Sequence, residues 1–202
     1  MRDKYYADNR DLIKWGVLIR LAERYNLSRI IQIAYLRPSK FGMLDIAGQQ
    51  TALPPQVLTH FRNIRNISAL PNEFSISVFD RVFDDRITYH AEVSQYLAQF
   101  MPELRLVFLD PDIGLEPARK ADFRHVLRVE AHTIWAQLRS NEVFAFYQHQ
   151  TNKAGKPWIE EKRTQLEDAI NIDCYEKKRG KVLVGQSAAI AKDVVIYFAI
   201  KP

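Results

Sequence analysis

Leu104-Arg105-Leu106-Val107-Phe108-Leu109-Asp110-Pro111-Asp112-Ile113-Gly114-Leu115-Glu116-Pro117 is the stretch on which the fold turns. Leu104 to Leu109 is a short apolar run with no polar alternation, as expected of a strand covered on both faces. It stops abruptly in acids and two prolines. A second run of the same kind, Val143 to Tyr147, ends in Gln148-His149-Gln150. Strands buried on both faces belong to sheets whose crossover helices lie on either side, so the pair predicts a parallel sheet.

The flanking segments agree. Asp8, Asn9 and Asp11 precede a broad 3.6-period stripe (Leu12, Ile13, Trp15, Val17, Leu18, Leu21, Ala22) that predicts a helix to about Tyr25. Residues 29 to 36 read as a strand closed by Arg37-Pro38, and 39 to 53 read as irregular. Pro54-Pro55 opens a helix to about 66 whose face carries Val57, Phe61 and Ile64. A strand at 74 to 79, a helix at 88 to 100, a helical pattern within 121 to 139 (Phe123, Leu127, Ile134, Leu138) and a helix at 158 to 170 follow. Strand-like segments at 181 to 184 and 193 to 200 are joined too closely for a crossover helix, which predicts an antiparallel hairpin at one edge. Alternating strands and helices predict a three-layer α/β fold, with residues 1 to 202 forming a single domain.

Composition narrows the function classes. The net charge of +5 and pI near 9.3 suit an anionic partner such as nucleic acid or a nucleotide, although the basic residues are scattered and Lys177-Lys178-Arg179 also reads as a solvated turn. The single Cys174 can form neither an intramolecular disulfide nor a cysteine zinc site, and is read as structural. No apolar run approaches the roughly 20 residues needed to cross a bilayer, and Met1-Arg2-Asp3-Lys4-Tyr5-Tyr6 is no apolar signal core, so a cytoplasmic protein with no membrane association is expected.

In open parallel sheets ligands bind beyond the carboxyl ends of the strands. The residues there are Arg37, Asp80 with Arg81, Asp110-Pro111-Asp112, and Gln148-His149-Gln150. Pro111 fixes φ and Gly114 permits a left-handed turn, which puts Asp110, Asp112 and Glu116 on one stiff loop. The plain alternative is a strand-to-helix connection whose acids only cap and turn the chain. Gln148 offers amide donors and an acceptor, and His149 can serve as base or ligand near neutral pH; a strand end with a satisfied histidine is the competing reading.

Glu130 falls on the apolar stripe of its predicted helix, where a carboxylate needs a cation or donors to stay ionised. The alternative is a stripe-edge residue that reaches solvent. Asp8 with Asp11 resembles a capping box with a shortened second acid, and Lys14 reads either as a solvated lysine or as a partner of the site.

Three segments together, Tyr5 to Lys14, Phe108 to Glu116 and Tyr147 to His149, resemble a group of bacterial proteins of unassigned activity that carry an Asp-Pro-Asp-x-Gly-Leu-Glu loop and a Tyr-Gln-His strand end. More distantly, Asp11-Leu12-Ile13-Lys14 with Asp110-Pro111-Asp112 is similar to the ribosomal RNA adenine methyltransferases, which have an Asp-x-x-Lys helix and an Asp-Pro-Pro-Tyr loop. That resemblance, with a parallel sheet ending in a hairpin, implies a Rossmann-like fold of the class I methyltransferase type. Asp110 and Pro111 would take the first two loop positions. Asp112 and Ile113 depart from the last two, removing the ring that stacks on a flipped base. The Gly-x-Gly loop of S-adenosylmethionine enzymes is also missing, because Ala34-Tyr35-Leu36 stands in its place.

Three functions therefore stay open. The first is a methyltransferase-like domain that binds or acts on nucleic acid or a nucleotide through Asp11, Lys14, Asp80, Gln148 and Glu130, with Asp110, Asp112, Glu116 and His149 at the centre. The second is a metal-dependent nuclease or phosphoesterase in which Asp110, Asp112 and Glu116 hold Mg²⁺ or Mn²⁺, His149 is the base, and Lys14 or Lys162 steadies phosphate. The third is a non-catalytic partner protein using the same crevice.

Overall fold

The computed structural model describes residues 1–39, 43–70, 73–150, 157–173 and 179–202. Cys174 and the Lys177-Lys178 pair lie outside these residues. The chain is a mixed α/β protein built on a six-stranded sheet. In chain order its strands are β1 (Arg29–Ile33), β4 (Ser75–Phe79), β5 (Arg105–Leu109), β8 (Val143–His149), β9 (Leu183–Ser187) and β10 (Ala191–Ile200). Across the sheet they run β4, β1, β5, β8, β10, β9. The first four are mutually parallel, and β10 is antiparallel to both of its neighbours. The two apolar runs are neighbours, with Leu109 opposite Phe146.

Helices cover both faces. Side chains alternate along each strand, so Leu106 and Phe108 face one layer while Val107 and Leu109 face the other. The first layer is α1 (Asn9–Arg24), whose Ile13, Trp15, Leu18 and Leu21 pack on the sheet. Trp15 meets Phe108 edge-on at 6.5 Å. The opposite layer is formed by α3 (Arg86–Ala98), α4 (Arg128–Ala136) and α5 (Ile159–Ile170), through Tyr89, Val93, Ile134, Trp135 and Leu166. No helix among the described residues is long and apolar enough to cross a membrane.

Three expectations need correction. The stretch 43 to 52 is an exposed hairpin, β2 (Met43–Ile46) and β3 (Gln49–Ala52), turned by Ala47 and Gly48 at positive φ. The helix opened by Pro54-Pro55 is α2 (Pro55–Arg62) and gives way to a 3-10 turn over Ile64–Ala69; Ile64 is buried, but Phe61 is 62% exposed and Val57 also faces out. Within 121 to 139, helix begins only at Arg128. His125–Val126 instead forms β7, a short strand parallel to β6 (Gly114–Leu115), so the helical spacing of Phe123 and Leu127 is coincidental.

Candidate functional site in the crevice beyond the central strands

The path of the chain reverses direction across the sheet at β1: β4 pairs on one side of it and β5 on the other. Connections there leave in opposite directions and open a crevice beyond the carboxyl ends. Asp110 is the first residue past β5, and its amide donates to the Ile33 carbonyl at 2.9 Å, which continues the ladder to the rim.

Asp110 is fully buried. One carboxylate oxygen accepts from Gln32 Nε2 at 2.8 Å, and both oxygens lie 3.2 Å from Lys14 Nζ. Lys14 is itself buried, 2.7 Å from Asp11 Oδ1, with its ammonium over the Tyr147 ring at 4.9 Å. Burial alone would lower the Lys14 pKa, but Asp110 and Asp11 outweigh it and hold the ammonium well above its ordinary value. Burial also pushes the Asp110 carboxyl up, opposed by Lys14 and the Met1 ammonium. Asp11 meanwhile accepts from the Ala7 amide at 2.6 Å, and Asp8 caps the amides of Arg10 and Asp11, so the capping exchange reaches one residue further back than a standard box.

Asp112 is held by the Met1 ammonium at 3.3 Å and Arg37 at 3.0 Å. His149 faces oxygen acceptors with both ring nitrogens: the Gln150 carbonyl at 2.9 Å and Asp193 at 3.2 Å. Asp193 also takes Arg10 at 2.5 Å. Lys14, Asp110, Asp112 and His149 thus converge, with Arg10, Tyr5 and Tyr147, on one cavity of about 260 Å³.

The other predicted residues lie elsewhere. Gln148 is buried behind the loop; its Oε1 accepts from Leu115 N at 2.9 Å and its Nε2 donates to the His149 carbonyl at 2.8 Å, clasping the loop to β8. Glu116 turns away from Asp110 and accepts from Arg128 N at 2.8 Å, at the start of α4. Lys162 is likewise structural, donating to the Glu116 carbonyl at 3.2 Å and to Gln165. Asp80 is engaged by Arg65 at 2.6 and 2.8 Å in a separate groove. Glu130 is buried and joins Arg86 at 2.8 Å, His90 at 3.3 Å and Leu127 N at 2.7 Å, tying α3 to α4.

Asp110, Asp112 and Glu116 therefore serve three different sets of partners. Among the described residues no group of three or more histidine, cysteine or acidic side chains is placed to hold a metal ion. The residues after β1 do not fit S-adenosylmethionine either. Tyr35 stands at the turn with φ 45° and its side chain fully buried against Phe83 and Tyr89. Its carbonyl accepts from the Met1 amine at 2.8 Å, and the Met1 side chain packs with Ala34 and Ile64. A buried tyrosine thus stands where a glycine would let backbone approach the cofactor closely.

Gln32, Arg10 and Asp193 did not stand out in the sequence. Gln32 carried a faint signal as a lone polar residue inside a β-branched strand. Arg10 and Asp193 carried none, since 183 positions separate them. Compared with known proteins, the chain matches no family model and no curated protein.

Proposed function

We propose that this chain is a Rossmann-like, class I methyltransferase-like domain that binds nucleic acid or a nucleotide in the crevice beyond β5 and β8. The observation that carries the reading is the convergence on one cavity of the Asp110-Pro111-Asp112 turn, Lys14 and Arg10 from α1, and Tyr147 and His149 from β8. A mostly parallel sheet that ends in an antiparallel pair supports the architecture, and the reversal of strand order at β1 supports the location.

Recognition follows from the lining. The half-buried Arg2 offers charge to a phosphate and the exposed Tyr5 offers a face to a base, while Arg10 and Tyr147, held by Asp193 and Lys14, form the wall. The Lys14–Asp110 pair keeps the floor ionic and rigid. Asp110, already paired, is a weak candidate to bind a metal, and the divergence of Glu116 removes the third ligand of the nuclease alternative. The buried Tyr35 at the turn after β1 argues against S-adenosylmethionine, and so against methyl transfer, in this crevice.

Thermal unfolding with a nucleotide panel, S-adenosylmethionine and Mn²⁺ tests the reading. A nucleotide at 100 times its dissociation constant should stabilise the fold by roughly 2.7 kcal/mol. A shift with Mn²⁺ that Asp110→Asn abolishes would instead favour metal-dependent phosphodiester chemistry, and no shift with any nucleotide would favour a protein partner.

A further inference from the structure

The 260 Å³ cavity is the middle member of a row. On the β10 side, a depression of about 760 Å³ shares Asp8 and Arg10 with it and continues to Lys192. On the β1 side, a depression of about 610 Å³ shares Arg2 with it and continues past Lys4 and Arg37. The three follow the order of the strand ends across the sheet. Small-molecule sites occupy roughly 300–1,000 Å³, so a mononucleotide fills one member and leaves the others empty.

Charge runs along the row in a consistent way. The acids that line its central and β10-side members are ion-paired within the fold: Asp110 with Lys14, Asp112 with Arg37 and the Met1 ammonium, and Asp8 and Asp193 with Arg10. Lys4 and Lys192, one on each side of the central cavity, make no ion pair among the described residues. Between them Tyr5 is 47% exposed, with the Lys4 ammonium 4.8 Å from its ring centroid. Asp84 closes the far end of the β1-side depression, and the next depression adds Asp80, Asp85 and Glu92, so the path turns acidic there and ends.

Resting on the crevice reading above, we infer that the occupant is an extended single strand of nucleic acid, laid across the strand ends from Lys192 through the central cavity to Lys4 and Arg37. Regularly spaced phosphates suit two separated unpaired lysines, and an exposed tyrosine between them suits a stacked base, whatever its identity. A peptide would need its acids placed to match both lysines, whereas a nucleic acid strand presents a phosphate at every residue whatever its sequence.

The test is fluorescence anisotropy with labelled oligothymidylates of about four to about sixteen nucleotides, with thymidine monophosphate as competitor. Wild type is compared with Lys4→Glu/Lys192→Glu and with the milder Lys4→Gln/Lys192→Gln. Affinity should climb with length and then level off. The glutamate pair should lose about tenfold on long oligomers at low salt, with the salt slope reduced by about 1.4, as expected for two single-strand phosphate contacts. The glutamine pair should show a smaller loss in the same direction, and competition by the mononucleotide should be unchanged in both variants. Binding of the mononucleotide with no dependence on length, or with no effect of either variant pair on long oligomers, would overturn the strand path and leave the crevice reading standing. Binding of neither would remove both. Tight binding of a labelled Lys-Glu copolymer peptide in place of the oligomers would overturn the inference in favour of a peptide groove.

Discussion

Lys14 and Asp110 stand 96 positions apart in the chain, and the ammonium of one lies 3.2 Å from both carboxylate oxygens of the other. The pair is buried, joins α1 to the end of β5, and forms the floor of the crevice. Its geometry makes it a structural fixture before it is anything chemical.

Removing one member of such a pair strands the other charge. Lys14→Met leaves Asp11 and Asp110 buried with no ammonium between them, and should cost about 3–5 kcal/mol in urea unfolding. Adding Asp110→Asn to Lys14→Met should recover part of the loss, so the double variant is more stable than the sum of the singles predicts. Strict additivity would show that the two groups do not act as a unit.

Gly114 is required by its neighbour as much as by its backbone. At φ 141° a side chain is strained, and a Cβ there would collide with the Gln148 side-chain amide. Gly114→Ala should therefore cost about 2 kcal/mol or more. In a Gln148→Ala background the same substitution should cost less, because only the φ penalty remains. Equal costs in both backgrounds, read from chemical denaturation, would count against the clasp.

Glu130 gives the fold an acid-sensitive joint. Burial raises its carboxyl, but His90, the Leu127 amide and Arg86 outweigh burial and hold it below its ordinary value of 4.5. A depressed carboxyl stabilises the fold above the unfolded pKa and loses that contribution as pH falls through the folded value. The stability gap between wild type and Glu130→Gln should be full near pH 7 and should close below about pH 4.5. A gap that stays constant down to about pH 3 would mean that Glu130 is not held as the ion.

Much of this was legible in the chain. The runs at 104–109 and 143–147 pointed to strands of a parallel sheet because residues buried on both faces leave no polar alternation, while their adjacency came from the fold. The close spacing of the last two strands specified their antiparallel pairing. Glu130 on an apolar stripe left open a buried carboxylate with a cation or donors and a stripe-edge residue reaching solvent; the fold buries it against Arg86, which nothing in the local sequence named. The β2–β3 hairpin escaped because its Ala47-Gly48 turn lacks the asparagine or aspartate that usually marks such turns, and its eight strand residues are all exposed, so no burial pattern is imprinted. Arg105 sits in a run that reads as an apolar strand. It is fully buried there, with Glu142, 37 positions on, 3.2 Å from its Nε and the Leu97 carbonyl accepting from its guanidinium. Pairings set by the tertiary fold, like those of Glu116 with α4 and of Arg10 with Asp193, have no local signature to read.

The most direct test of the central claim is nucleotide binding by calorimetry to wild type and to Ile113→Trp. Ile113 lines the cavity and carries no charge, so the larger side chain fills the space and leaves every ion pair of the crevice intact. Binding to wild type that is lost in Ile113→Trp, with the variant still unfolding cooperatively, is the predicted result. Equal binding to both proteins, or to neither, would contradict a nucleotide site in this crevice.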